Sequence, residues 1–147
     1  MLDAQRTESI AAAQADVWRL IADVERYAAW HPFFSAIDPL EHDACGRVVR
    51  ASCRHDTSVT VLRTELRFTY DDGAGVRAER VSGDLKAMAG SFALAPGGDE
   101  IALTHALSVD PGMKLGLLLR GPVEDRVRRS VMDGAFRGVR EQLGLTG

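Results

Sequence analysis

The side chains with most chemical reach in this 147-residue sequence are four histidines, two tyrosines and one arginine that breaks a helical pattern. On the segment 100–109, Ile101, Leu103, His105, Leu107 and Val109 share one face of an alternating pattern, with Ala102, Thr104, Ala106 and Ser108 on the other. The larger apolar set belongs inside, so His105 goes with it. A buried imidazole can be a structural hydrogen-bonding group, or a general acid/base that titrates near neutrality. On 57–70, Leu62, Thr64, Leu66, Phe68 and Tyr70 alternate with Arg63, Glu65 and Arg67, which makes Thr64 and Tyr70 candidate pocket hydroxyls. On 85–95, Met88, Phe92 and Leu94 look inward around Gly90, a glycine that first of all marks a bulge or bend. His31, His42, His55 and His105 have no metal-ligand spacing, and Cys45 and Cys53 do not complete one. Phosphate loops, nucleophile elbows and paired inner-face carboxylates are likewise missing from the sequence, so no metal or cofactor is expected.

These positions need elements to hold them. Met113–Leu143 is the one stretch with a sustained helical period: Val127, Val131, Ala135 and Val139 form a stripe that Met132, Phe136 and Leu143 widen. Arg126, Arg129, Asp133, Arg137 and Arg140 take the opposite face. Arg128 falls inside the apolar arc, where it either snorkels beside Glu124 or stands as a guanidinium at a cavity mouth. Gly134 and Gly138 flank the same arc; each costs about 1 kcal/mol in a helix interior, a cost that close backbone packing would offset. Before Arg128, an apolar lip (Leu115, Leu117, Leu118) and the Gly121-Pro122 break form the part expected to gate a ligand.

Upstream, Ala4–Ala11 alternates as a first strand, and 12–30 carries a helix with Val17, Trp18, Ile21 and Ala22 on one face. Asp23 is placed to cap a second short turn, and His31-Pro32 ends it. From there the period becomes two, with strands at 36–42, 46–54, 57–70, 75–82, 85–95 and 100–109. Turn chemistry at Asp71-Asp72-Gly73, Ser82-Gly83-Asp84 and Pro96-Gly97-Gly98-Asp99 joins them as an antiparallel meander. The whole of 1–147 therefore reads as a single α+β domain, a curved antiparallel sheet of about seven strands on a long C-terminal helix. At a net charge of −3 there is no electrostatic reason to expect nucleic acid or an anionic membrane. The longest near-apolar run, Met113–Leu119, is too short for an integral membrane segment. Two cysteines and no secretory leader point to a reduced, cytoplasmic chain.

This order, together with three local patterns, resembles the START-like (SRPBCC, helix-grip) superfamily and its polyketide cyclase/dehydrase and coenzyme Q-binding-like branch. The patterns are Val17-Trp18 with Asp23-Val24-Glu25-Arg26-Tyr27 and Trp30-His31-Pro32; Val81-Ser82-Gly83-Asp84-Leu85-Lys86 with Gly90 and Phe92; and Leu117-Leu118-Leu119 with Pro122-Val123-Glu124-Asp125-Arg126-Val127. The resemblance implies a deep cavity between sheet and helix that holds an apolar or aromatic ligand. A single helix cannot fill a strongly curved sheet, which leads to the same cavity on geometric grounds. Its walls are expected from Trp30, Phe34, Leu62, Thr64, Leu66, Phe68 and Met88, then Phe92, Leu103, His105, Leu107, Leu118, Arg128 and Met132. The two tryptophans, Trp18 and Trp30, lie in the helical segment, and the inner sheet face is almost free of arginine, unlike the pattern of the aromatic-polyketide cyclases.

Three functions fit this layout. The first is a carrier for a lipid, quinone or polyketide-like molecule. The second is a cofactor-independent cyclase, dehydratase or aromatase with His105 as acid/base, and Tyr70 and Arg128 orienting an enolate or carbonyl. A protein-interaction module comes third.

Overall fold

The computed structural model describes residues 2–56, 60–116 and 121–145. Strand β1 (Leu2–Ile10) leads into helix α1 (Gln14–Ala22) and a 3-10 helix (Val24–Ala29). Six strands follow: β2 (Ala36–His42), β3 (Val48–Asp56), β4 (Val61–Asp71), β5 (Gly75–Gly83), β6 (Ala87–Gly97) and β7 (Glu100–Asp110). A short helix α2 (Gly112–Gly116) and the long helix α3 (Pro122–Gln142) complete the chain.

The seven strands form one antiparallel sheet in the order β1-β7-β6-β5-β4-β3-β2. Five short connections lay β2 to β7 side by side, and β1 pairs with β7, so α1 and the 3-10 helix cross the inner face. Gly73 and Gly98, with φ of 76° and 76°, supply the left-handed residue that two of these tight turns need. Burial alternates along β7 without a break, from Ile101 to Val109, and sends its larger residues to the core. Helix α3 lays Val131, Met132, Ala135, Phe136, Gly138 and Val139 against that core, with Val127 half-buried. The architecture is the α+β helix-grip arrangement.

Several boundaries differ from the sequence reading. The stretch 113–143, read as one helical period with a break at Gly121-Pro122, is interrupted at that break. It divides into α2 and α3 at Gly121, whose φ of 59° lies outside helical space, with Pro122 opening α3. Asp23 makes no side-chain cap; the 3-10 helix starts instead from its carbonyl, which accepts the Arg26 N–H at 3.1 Å. Strand β6 starts at Ala87 rather than 85, because residues 84–86 are drawn to other strands. The Arg63 N–H donates to Asp84, Asp84 N–H to the Arg63 carbonyl, and Lys86 N–H to the Asp110 carbonyl. Strand β4 is described from Val61, so the proposed strand start at 57–59 lies outside the described residues.

One edge of the inner face also departs from expectation. Inward positions of β1 carry Arg6 and Glu8, opposite His105 and Leu103 in register. Arg6 pairs with Asp133 of α3 at 2.7 Å, and Arg140 pairs with Glu8 at 3.0 Å. The inner sheet face, read as almost free of arginine, holds Arg6 at the β1 edge, where α3 supplies its carboxylate. Both cysteines are free, Cys45 exposed and Cys53 buried, and burial pushes the Cys53 thiol up to about 12. No helix among the described residues is long and apolar enough to cross a membrane.

Candidate functional site: a segment pinned by three buried histidines

The residues that follow the 3-10 helix, Trp30 to Phe34, run between α3 and the sheet. Pro32 forces the chain out of helical geometry, and two glycines of α3 let it pass close. A Cβ on Gly138 would lie 2.4 Å from the Trp30 carbonyl oxygen, and one on Gly134 would lie 2.8 Å from Pro32. That close approach is the packing reason for glycine in the middle of α3.

On the sheet side, three buried histidines hold the segment, and their hydrogen bonds fix the protons. The Phe33 N–H donates to His31 Nδ1 at 3.1 Å, so that nitrogen carries no hydrogen and a neutral His31 is protonated on Nε2. His31 Nε2 lies 2.9 Å from His105 Nε2, to which it donates. His105 therefore has its proton on Nδ1, which donates to the Ser91 carbonyl at 2.9 Å. The third imidazole is read the same way. His55 Nδ1 donates to the Phe33 carbonyl at 2.8 Å, and the Thr64 hydroxyl donates to His55 Nε2 at 2.8 Å. The two sides of one residue, Phe33, are thus tied to two imidazoles: its N–H to His31 and its carbonyl to His55.

Every nitrogen of His31 and His105 has a partner only while both rings are neutral, whereas the Thr64 hydroxyl can turn to accept from a charged His55. An added proton on His105 Nε2 would face the His31 N–H, and one on His31 Nδ1 would face the Phe33 N–H. Burial works in the same direction. It holds His31 well below the usual histidine range, helped by its His105 and His55 neighbours. Burial also pushes His105 down to about 4 against the opposing Ser91 bond, and lowers His55 against the Phe33 carbonyl and Asp56.

Around the pair lies an aromatic cluster. The Phe92 and His105 rings stack at 4.1 Å and 9°; Phe34 meets His31 edge-on at 5.3 Å; Tyr27 packs on Trp30 at 5.2 Å. The Tyr27 hydroxyl donates to the Ile21 carbonyl, and burial raises it well above the usual tyrosine range. Between these rings remains a cavity of about 30 Å³, bounded by Tyr27 of the 3-10 helix, by the loop residues His31, Phe33 and Phe34, and by Phe68, Val76, Ala78, Met88, Gly90, Ser91, Phe92, His105 and Leu107. That space holds about one water molecule.

Of the expected wall residues, Phe34, Phe68, Met88, Phe92, His105 and Leu107 meet at this cavity. Trp30 backs it through its ring contact with Phe92 at 5.9 Å, and its buried indole N–H has no hydrogen-bond partner among the described residues. Leu62, Leu66, Leu103 and Met132 are buried in the core but off the wall, and Thr64 is engaged by His55. Arg128 is not on the wall of this cavity among the described residues: it bonds Glu124 at 3.0 Å, Asp125 at 2.6 Å and the Asp3 carbonyl at 2.8 Å. Tyr70 is half-buried and donates to the Val48 carbonyl at 2.5 Å, beneath the Arg47 guanidinium, with its hydroxyl raised to about 12 by burial. Leu117 and Leu118 lie outside the described residues. Sequence reasoning missed Tyr27, Phe33, His31 and His55. The first two lie at a helix end and in a loop; His31 reads chiefly as the residue before a helix-stopping proline, and His55 enters only the test for metal spacing. Among the described residues no three ligand-type side chains gather to hold a metal.

Comparison with known proteins places this geometry in context. The family described as polyketide cyclase / dehydrase and lipid transport matches residues 10–136. No curated protein matches the sequence. Among solved structures, a START superfamily protein from Mycobacterium smegmatis superposes with a TM-score of 0.79 at 16% identity, covering 97% of both chains. The STAR-related lipid transfer protein from Xanthomonas axonopodis gives 0.70 at 19% identity, over 95% of this chain and 84% of the other. The Zhui aromatase/cyclase of a Streptomyces species gives 0.59 at 18% identity, over 97% and 88%. At such identities the structures speak for the fold, and the family match for membership. This chain belongs to the polyketide cyclase / dehydrase and lipid transport family.

Proposed function

We propose that the protein binds and carries an apolar or aromatic small molecule, of lipid, quinone or polyketide-like chemistry. Its site would be the ring-lined interior, and the ligand would take the volume now filled by Phe33 and Phe34. The observation that carries this reading is the composition of the cavity wall. Phenyl rings from Phe33, Phe34, Phe68 and Phe92 surround it, with aliphatic carbon from Val76, Ala78, Met88 and Leu107. An apolar ligand gains from such a wall through the area it removes from water, about 25 cal/mol per Å². Lipid-transport relatives within the family and the STAR-related neighbour support the same reading. A reducing, cytoplasmic setting fits it, since Cys45 and Cys53 are both free thiols.

The test is purification without detergent followed by native mass spectrometry, with a parallel titration of the neutral probe Nile red. A co-purified mass or saturable uptake at one site is expected. An empty protein that takes up no probe contradicts the proposal.

A second reading, a cofactor-independent cyclase, dehydratase or aromatase, rests on His105, which stands on the wall with a neutral Nε2. A substrate would first have to displace His31 from that nitrogen. Arg128 and Tyr70 would not assist, being committed to their own helix and to Val48. His105→Gln should then abolish turnover of a true substrate with the fold intact; retained turnover rules the reading out.

A further inference from the structure

We propose that the segment from His31 to Phe34 is a proton-released latch over the cavity, closed while His31, His55 and His105 are neutral and freed when they take up protons. This deepens the carrier reading and rests on it for the identity of the cavity; the latch itself rests on the hydrogen-bond geometry. The segment crosses to the sheet through those imidazoles. His31 reaches β7 through His105, and the Phe33 carbonyl reaches β3 through His55. Two further bonds, Ser35 N–H to the Arg54 carbonyl at 2.8 Å and Asp56 N–H to the Ser35 hydroxyl at 2.6 Å, anchor its C-terminal end to β3 and define a hinge. On the α3 side only packing against Gly134 and Gly138 is described.

The surroundings offer the charged imidazoles little compensation. Around His31 the 3-10 helix presents Tyr27, whose phenol is neutral, while β7 and β3 present His105 and His55. Beside His105 in register, β1 places Arg6, a cation already bound to Asp133 and Glu8. Ser91 on β6 offers His105 one carbonyl. Asp56 on β3 is the carboxylate that acts on His55, and it is half-exposed and paired with Arg54 at 2.8 Å. Protonation of His31 or His105 places N–H against N–H in an interior where, among the described residues, no counter-ion contacts those rings. Swinging the segment out returns His31 to water and gives the remaining rings solvent access.

Sign and size follow from linkage. The open form, with ordinary histidines, binds protons below about pH 6.5, whereas the closed form does not, so acid favours opening. One pH unit below that value each ring that charges on opening shifts the equilibrium about tenfold, and three rings together up to about a thousandfold.

The experiment is amide hydrogen exchange on the full chain at pH 7.5 and 5.5, corrected for intrinsic rates. It follows Phe33 and Phe34, with Leu66 in β4 as the core reference, and is paired with Nile red uptake at both values. We expect the two segment amides to be less protected than Leu66 at pH 7.5. Their protection should drop by tenfold to a thousandfold at pH 5.5, with faster probe uptake. In His55→Gln/His105→Gln, which leaves one titrating ring, the drop should shrink to about tenfold; should that variant fail to fold, the wild-type profile decides. Segment protection unchanged with pH, or equal to that of Leu66 at both values so that the segment opens only with global unfolding, overturns the latch. Acid-released protection with no probe taken up at either pH supports the latch and contradicts the carrier reading instead.

Discussion

Gly138 on α3 lies so close under Trp30 that an added Cβ would sit 2.4 Å from the Trp30 carbonyl oxygen and 2.9 Å from its ring. The two residues fix the distance between the C-terminal helix and the segment that closes the cavity. Backbone cannot retreat as a flexible side chain would, so an alanine here must push helix and segment apart. Helix propensity alone would favour Gly138→Ala by about 1 kcal/mol. Overpacking of about 1–3 kcal/mol outweighs it. Denaturant melts should show a net loss of stability, and a gain would mean that this contact is not tight.

The histidine chain makes its own forecast. His105→Ala leaves the buried His31 N–H without an acceptor, at a cost of about 1–3 kcal/mol beyond the lost packing on Phe92. His105→Gln, whose amide can both accept and donate, should recover part of that loss. Equal destabilisation by the two substitutions would show that packing matters and the hydrogen bonds do not.

Global stability should fall in mild acid. The folded His105 stays neutral down to about 4, against 6.5 for the unfolded chain, so its contribution is complete above pH 6.5 and is lost as pH falls toward 4. That single group accounts for about 3 kcal/mol across the window. His31 and His55 act in the same direction, being lowered too. Unfolding free energies measured from pH 7.5 to 4.5 check this; a curve flat through pH 5 contradicts the neutral, buried assignment.

Arg128 ties α3 to β1 through the Asp3 carbonyl, a role that predicts no part in reading a ligand. Arg128→Met should cost roughly 1 kcal/mol or less, since its partners Glu124 and Asp125 are partly solvated, and should leave Nile red affinity unchanged. A clear loss of affinity with unchanged stability would return Arg128 to the binding site.

Much of the fold was legible in the sequence because alternation and helical period respond to burial alone. The inward sets of β4 and β7 and the buried stripe of α3 could be read residue by residue. The cavity wall was half legible, for the same reason: Phe68, Met88, Phe92, His105 and Leu107 sit on strands whose faces the pattern assigns. Of the rest, Tyr27, His31 and Phe33 come, together with the expected Phe34, from the stretch 27–34, which follows no strand alternation and where side-chain direction depends on tertiary contacts. His31 read only as the residue before a helix-stopping proline, and nothing local in the sequence pairs it with a residue 74 positions away. His55 sits on a face shared with Cys53 and Ala51, and its partner Phe33 is a loop residue. Arg6 on the inner face was hidden because its partner Asp133 is 127 residues distant on α3.

The account turns on one claim, that an apolar ligand enters by displacing the Phe33–Phe34 segment. Amide exchange at pH 7.5 with and without saturating Nile red tests it most directly. Loading should strip protection from Phe33 and Phe34 while Leu103 and Leu107 in β7 keep theirs. Saturable binding that leaves the two segment amides as protected as in the free protein would contradict it.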